Sequence, residues 1–332
     1  MSEEYVTNVV AKYYPRKNIS KVKILDNRII IEFKNISENP ELSKRVKEEL
    51  FSLYVNKKIS MAFIEEKNSN ISTQAIAKWN IKNVKKIIGV ASGKGGVGKS
   101  TTSVNLALAL ANQGKKVALV DADIYGPSIP TMLGYEGQPI TSDDKETFNP
   151  FCDFGIESIS IGALIDKNTP LIWRGSKACG AIEQLITQTK WNDIDIMVID
   201  MPPGTGDIQI TLSQHIDFDG IVIVSTPQDI ALIDAIKGVN MFKKTGSPIL
   251  GIIENMSYFV CPNCGNKADI FGSDGAKQIA NNLNEVFLGE IPLHIEIRKN
   301  ADNGTPIVAT FPDSPYTKAY EDIAKKIIQR LG

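Results

Sequence analysis

Two stretches of this sequence hold reactive side chains at spacings that chemistry uses. The first, GKGGVGKST, has Gly93, four residues, then Gly98, Lys99 and Ser100, the G-x-x-x-x-G-K-[ST] pattern of a phosphate loop. Gly93, Gly95, Gly96 and Gly98 let backbone N–H groups, that of Val97 among them, close around phosphate oxygens. Lys99 reaches the outer phosphates, Ser100 offers its hydroxyl to magnesium, and Thr101 continues the run into a helix whose dipole favours the anion. The second stretch, SYFVCPNCGNK, sets Cys261 and Cys264 two residues apart around Pro262, with Gly265 following. A tight turn points both sulfurs the same way, so the pair can grip one soft metal centre from one side.

One pair is half of a four-sulfur shell. Cys152 and Cys179 are isolated, and His215 and His294 show no ligand spacing. A second copy of the chain across a two-fold axis would supply the other half. Zinc suits thiolates at this spacing as well as an iron–sulfur cluster does. A redox pair of the thioredoxin kind should open a helix in a different setting.

These motifs need elements to position them. From about residue 84, apolar runs recur as KIIGVAS, KVALVDAD, IDIMVID, GIVIVST, PILGIIEN and EVFLGEIP, separated by helical stretches such as STTSVNLALALANQ and DIALIDAIKGVNMFKK. Strands without alternation are buried on both faces, so the fold class is α/β, a doubly wound, mostly parallel sheet. Ligands of such sheets sit at the carboxyl ends of the strands. The phosphate loop follows the first run, Asp121 and Asp123 end the second, and Asp200 ends the third, before Pro202, Pro203 and Gly204. Asp121 is read as a strand terminator or helix cap, and Asp207 as a cap or a nucleotide contact.

Residues 1–80 read as a small α+β domain, and residues 81–332 as the P-loop domain. In the former, VKILDNRIIIEF suggests a hairpin turning at Asp26 and Asn27, ELSKRVKEELFSL a helix and ISMAFIEE a strand. EKNSNISTQAIAKWNIKN reads as a linker.

The second lysine of the loop, Lys94, resembles the deviant phosphate loop of the MinD, ParA and nitrogenase iron protein superfamily. GKGGVGKST, DADIYGPS, PLIWRG, DMPPGTGD, ENMSYFVCPNCG and IRKNADNGTPIV, in that order, resemble the Mrp/ApbC family of iron–sulfur cluster carrier ATPases. The resemblance implies a homodimer that hydrolyses ATP slowly. It implies a labile [4Fe-4S] cluster shared between the subunits at Cys261 and Cys264, for delivery to apoproteins in concert with assembly factors. It also assigns catalysis to Lys94, Lys99 and Asp123: Lys94 crosses to the partner's nucleotide as an arginine finger does, and Asp123 orients the attacking water. Asp200 would hold magnesium with Ser100, and Asn255 would touch the adenine. The small N-terminal domain lacks the acidic D-P-E signature and the cysteines that its counterpart in such carriers would carry.

Composition narrows the alternatives. Lys and Arg number 37 against 38 Asp and Glu, for a net charge of −1, which gives no electrostatic case for a nucleic-acid or membrane partner. MSEEYVTNVV has no signal-peptide layout and no run suits a membrane helix, so a cytoplasmic site is expected. A positioning ATPase of the MinD or ParA kind would want a basic amphipathic tail. SPYTKAYEDIAKKIIQRLG mixes Glu321 and Asp322 with its lysines, and its stripe of Tyr320, Ile323, Ile327 and Leu331 reads as a packing face. A reductase like the nitrogenase iron protein would draw its cysteines from two separate regions.

Overall fold

The computed structural model describes residues 2–24, 28–36, 38–54, 57–64, 77–164, 175–261 and 263–332. The turn at Asp26 and Asn27, residues 65–76 (the end of ISMAFIEE and the first part of the linker), residues 170–174 of PLIWRG, and Pro262 lie outside them. The chain forms two compact units, Met1–Ala75 and Ile76–Gly332.

The first unit runs α1 (Glu3–Val10), β1 (Ile19–Ile24), β2 (Arg28–Lys34), α2 (Pro40–Leu53) and β3 (Lys58–Ile64). Helix α1 arises in the stretch MSEEYVTNVV, for which the sequence suggested no element: the Ser2 side chain accepts from the Tyr5 N–H, Glu3 and Glu4 fill the first turn, and Val6, Val9 and Val10 are buried. β1 pairs antiparallel with β2, as the expected hairpin requires, and β3 pairs parallel with β2. Asn39 caps α2 by accepting from the Glu41 and Leu42 N–H groups, with Pro40 in the first turn. Ile29, Ile31, Phe33, Val46 and Leu50, all fully buried, fill the core between sheet and helices.

The second unit is built on strands β4 (Val84–Ala91), β5 (Val117–Asp121), β6 (Phe151–Asp153), β7 (Ile156–Ser160), β8 (Ile194–Asp200), β9 (Gly220–Ser225), β10 (Ile249–Val260), β11 (Lys267–Ala268) and β12 (Phe287–Leu293). Its helices are α3 (Lys99–Asn112), α4 (Ile129–Met132), α5 (Gly175–Thr187), α6 (Asp207–His215), α7 (Asp229–Lys244), α8 (Gly275–Leu283), α9 (Ile295–Asp302), α10 (Ile307–Thr310) and α11 (Pro315–Leu331). The sheet order is β11-β10-β9-β4-β8-β5-β7-β6, with β12 also beside β10. The pairs from β12 through β10, β9, β4, β8 and β5 to β7 are parallel, and β6 and β11 join antiparallel at the rims.

Two apolar layers, one on each face of the sheet, account for the unalternating strands. Helix α11 packs on α3 and β12, burying Tyr320, Ile323, Ala324 and Ile327, so the tail is a docked helix. Among the described residues, no helix is long and apolar enough to cross a membrane.

β10 leads to the cysteine pair. Its first half lies between β9 and β12, its register slips after Asn255 where Met256 takes a left-handed φ of 56°, and its end pairs with β11. One strand therefore runs from between β9 and β12 out to Val260, next to Cys261.

Candidate functional site

The phosphate loop links β4 to α3 and needs glycine for two separate reasons. Gly98 is the N-cap of α3 at φ +79°, and a Cβ there would meet Asn255 Nδ2 at 2.1 Å. A Cβ on Gly93 would meet the Asp234 carbonyl group at 2.2 Å, because the first turns of α7 pack directly on the loop. The loop and its surroundings line a pocket of about 200 Å³ that includes Lys99, Ser100, Thr101, Asp123, Ser128 and Pro203. Pro203 arrives there because the turn after β8 is held to the loop's base: the Gly204 N–H donates to the Ser92 carbonyl at 2.9 Å.

Lys99, Asp123 and Asp200, each expected to act on nucleotide, converge. Lys99 Nζ stands 2.8 Å from Asp200 Oδ1 and 3.5 Å from Asp123 Oδ2. Ser100 Oγ donates to Asp200 Oδ2 at 2.6 Å, and Ser103 Oγ to Asp200 Oδ1 at 2.7 Å. Burial opposes the charge on Lys99, but the Asp200 and Asp123 carboxylates outweigh it and hold the ammonium above its usual pKa. Burial raises the Asp123 carboxyl, against the pull of Lys99, and Asp123 Oδ1 is buried without a hydrogen-bond partner among the described residues.

Asp121 does more than end a strand. Fully buried, it accepts from the Asp123 N–H at 3.1 Å, the Ile129 N–H at 3.2 Å and Ser160 Oγ at 2.9 Å. It thus fixes both ends of the segment carrying Asp123. Burial, with the charge of Asp200 nearby, pushes its carboxyl up to about 7. The sequence reading missed Ser103 and Ser160. Ser103 was within reach, since it lies four residues after Lys99 and must share its helix face.

Lys94 is half-buried, and among the described residues no carboxylate lies within ion-pair distance of it. Asn255 is buried, and its Nδ2 donates to the Val97 carbonyl at 2.8 Å. Asp207 begins α6.

Cys261 and Cys264 sit on the turn between β10 and β11. The Cys261 N–H donates to the Asn266 carbonyl at 3.0 Å, and the Gly265 N–H to the Cys261 carbonyl at 2.8 Å. Backbone N–H groups of Cys264 and Asn263 point at the Cys261 sulfur and hold its thiol below the usual pKa. Cys264 is exposed and Cys261 half-buried. Cys179 is buried and Cys152 exposed, and desolvation raises both thiols, which makes them poorer ligands than Cys261. Among the described residues, no group of three or more His, Cys, Asp and Glu side chains could hold a metal within one chain.

Known proteins share this architecture. A family model described as ParA, NUBPL iron-transfer P-loop NTPase, matches residues 83–328. An iron–sulfur cluster carrier protein of Salmonella typhimurium is 52% identical over 251 residues, 76% of this chain and 68% of the relative. The iron–sulfur cluster transfer protein NUBPL of Mus musculus is 48% identical over 271 residues, 81% of this chain and 85% of the relative. A nucleotide-binding protein from Archaeoglobus fulgidus, solved in complex with ADP, superposes with a TM-score of 0.63 at 37% identity, covering 72% of this chain and 92% of its own. The cell-division ATPase MinD of Pyrococcus furiosus shares the fold, with a TM-score of 0.58 at 24% identity over 74% of this chain and 98% of its own. Taken with the phosphate loop and its acidic partners, the match over residues 83–328 makes this chain a member of the ParA-type, NUBPL iron-transfer P-loop NTPase family, and an ATPase.

Proposed function

We propose that the protein is an ATP-dependent iron–sulfur cluster carrier, in which two copies share one [4Fe-4S] cluster between their cysteine pairs and pass it to recipient apoproteins. One observation carries this reading: the strand that touches the phosphate loop through Asn255 ends at an accessible cysteine pair whose first thiol, Cys261, is held below its usual pKa. Two sulfurs per chain are half a shell, so the cargo itself calls for a second copy. The cluster is held by thiolate ligation and leaves by ligand exchange with the recipient's cysteines.

The surface beside the loop supports the dimer. Tyr125 is 72% exposed, and Ile230 and Ile233, on the helix turn that packs against Gly93, are 70% and 54% exposed. Apolar side chains so open to water on an element touching the site suit coverage by another protein surface. Lys94, free of any carboxylate among the described residues, is then available to the partner's nucleotide, where a cation in trans stabilises charge on the transferring phosphoryl group.

Within one subunit, Lys99 exchanges its carboxylate partners for outer phosphate oxygens. Ser100 Oγ and Asp200 Oδ2, 2.6 Å apart, are hard oxygen donors that fit magnesium, and they would hold it. When bound, the ion neutralises charge on the outer phosphates. Asp123, whose Oδ1 has no partner among the described residues and can accept a hydrogen bond, orients the attacking water while Asp121 holds the backbone beneath it. Asn255 is the candidate contact for the adenine. The two acidic strand ends thus divide the work, since Asp200 serves the metal and Asp123 the water.

Anaerobic reconstitution with iron and sulfide tests the proposal. The expected product is a dimer with four irons per two chains and visible absorbance that the Cys261→Ala variant lacks. A monomeric product, or iron retained in full by that variant, would refute it.

A further inference from the structure

We infer that the N-terminal unit binds an extended acidic–apolar peptide segment of a partner protein as a fourth strand beside β3. β3, KISMAFI, is an edge strand: β2 lies on one side, and among the described residues nothing pairs with the other. Its seven residues pair with β2 in continuous parallel register without a bulge, so the outer edge is regular. Edge strands that must stay unpaired are usually interrupted by a proline, a bulge or several charges. This one has a single charge, Lys58, and Ile59, Met61 and Phe63 on its core-facing side remain only half-buried.

The sheet stops one strand short of its helical cover. Helix α2 turns its stripe of Lys44, Lys47 and Phe51 toward the edge, where it lines a groove of about 680 Å³ together with Lys58 and Ile59. Phe51 is 57% exposed there. A groove of this size, mostly apolar and bordered by an open strand edge, suits strand addition, in which main-chain hydrogen bonds supply affinity and alternate side chains supply selectivity. Side chains directed at the helix would meet Phe51 and Ile59.

Charge selects the others. Glu48, also on the groove, stands 4.0 Å from Lys44, and Glu38 is a second acid of the lining. Lys47 and Lys58 make no ion pair among the described residues, so these cations remain for the carboxylates of a guest. The partner is therefore a protein segment alternating apolar and acidic residues.

The test uses the full chain and a fluorescein-labelled seven-residue peptide alternating glutamate and valine, with the lysine–valine peptide as its counterpart. Fluorescence anisotropy should show saturable binding of the first and none of the second. The Lys47→Glu, Lys58→Glu double variant should weaken binding about tenfold or more, and Phe51→Ser likewise, with native hydrogen-exchange protection of β1 and β2 in the free variants as the check on folding of the first unit. Hydrogen exchange should slow at residues 58–64 on peptide addition. No binding, equal binding of the lysine peptide, full binding by the double variant, or protection elsewhere would each overturn the inference. The titration needs neither iron nor ATP, so its failure leaves the carrier reading untouched.

Discussion

The Asn255 side chain donates from Nδ2 to the carbonyl oxygen of Val97 at 2.8 Å, fastening the strand that ends at Cys261 to the loop that surrounds phosphate. Six residues farther along, past the left-handed kink at Met256, the strand reaches the first cysteine. Replacing Asn255 with Ala leaves a buried carbonyl unsatisfied, a loss of about 1–3 kcal/mol. ATP affinity should fall about tenfold while reconstituted iron stays at the native level. Isothermal titration and iron analysis on one preparation check both arms.

Lys94 and Lys99 should separate binding from hydrolysis. Lys99→Ala removes the cation buried between Asp200 and Asp123, and ATP binding itself should be lost. Lys94→Ala should bind ATP within about twofold of native but hydrolyse it at least about a thousandfold more slowly, as loss of a trans cation does. Nucleotide-binding assays beside phosphate release distinguish the two. Equal loss of binding in both variants would remove the trans role from Lys94.

Cys261→Ala should lose iron and keep ATP hydrolysis, because the hairpin projects from the end of β10, beyond the loop contacts. Cys152→Ala and Cys179→Ala, with thiols raised by burial, should keep full iron. Metal and sulfide analysis after anaerobic purification, with phosphate release in parallel, gives the answer. Iron lost equally in all three variants would point to general damage in place of ligation.

His294 gives the fold a pH dependence. It caps α9 by accepting the Glu296 N–H at Nδ1, 3.2 Å away, and stacks on Tyr316. Burial lowers its pKa below the ordinary 6.5, although Glu296 pulls the other way. The unfolded chain therefore takes up this proton first as pH falls. The stabilisation is complete above about pH 6.5 and is lost as pH drops through the lowered native value. His294→Asn keeps a capping acceptor without a titratable ring, so urea midpoints between pH 7 and 5 should vary less than in the native protein.

Much of this site was legible from spacing, and the reasons differ residue by residue. Gly93 to Thr101 could be placed because a phosphate loop between a buried strand and a helix uses one backbone path. Sheet logic puts strand ends at the ligand, and the resemblance singled out Asp123 and Asp200 there. Asp121 ends β5 and accepts from the Ile129 N–H at the start of α4, as a strand terminator or helix cap would, but its bond to Ser160, thirty-nine residues on, could not be read, because only the completed sheet brings the two together. Helix α1 was missed because eight residues with a short valine stripe carry little periodicity, and its signal lay in the Ser2 cap. The contact of Asn255 with Val97 spans 158 residues and had no local trace at all.

The position of Asp121 has a calorimetric consequence. With its carboxyl at about 7, the nucleotide-free pocket stores a fraction of a proton near neutrality. A divalent cation seated by neighbouring Asp200 would disfavour that proton and expel it to the medium. Heats of Mg–ATP association measured in Tris and in phosphate should then differ by the number of protons released times the gap between the buffers' ionisation enthalpies.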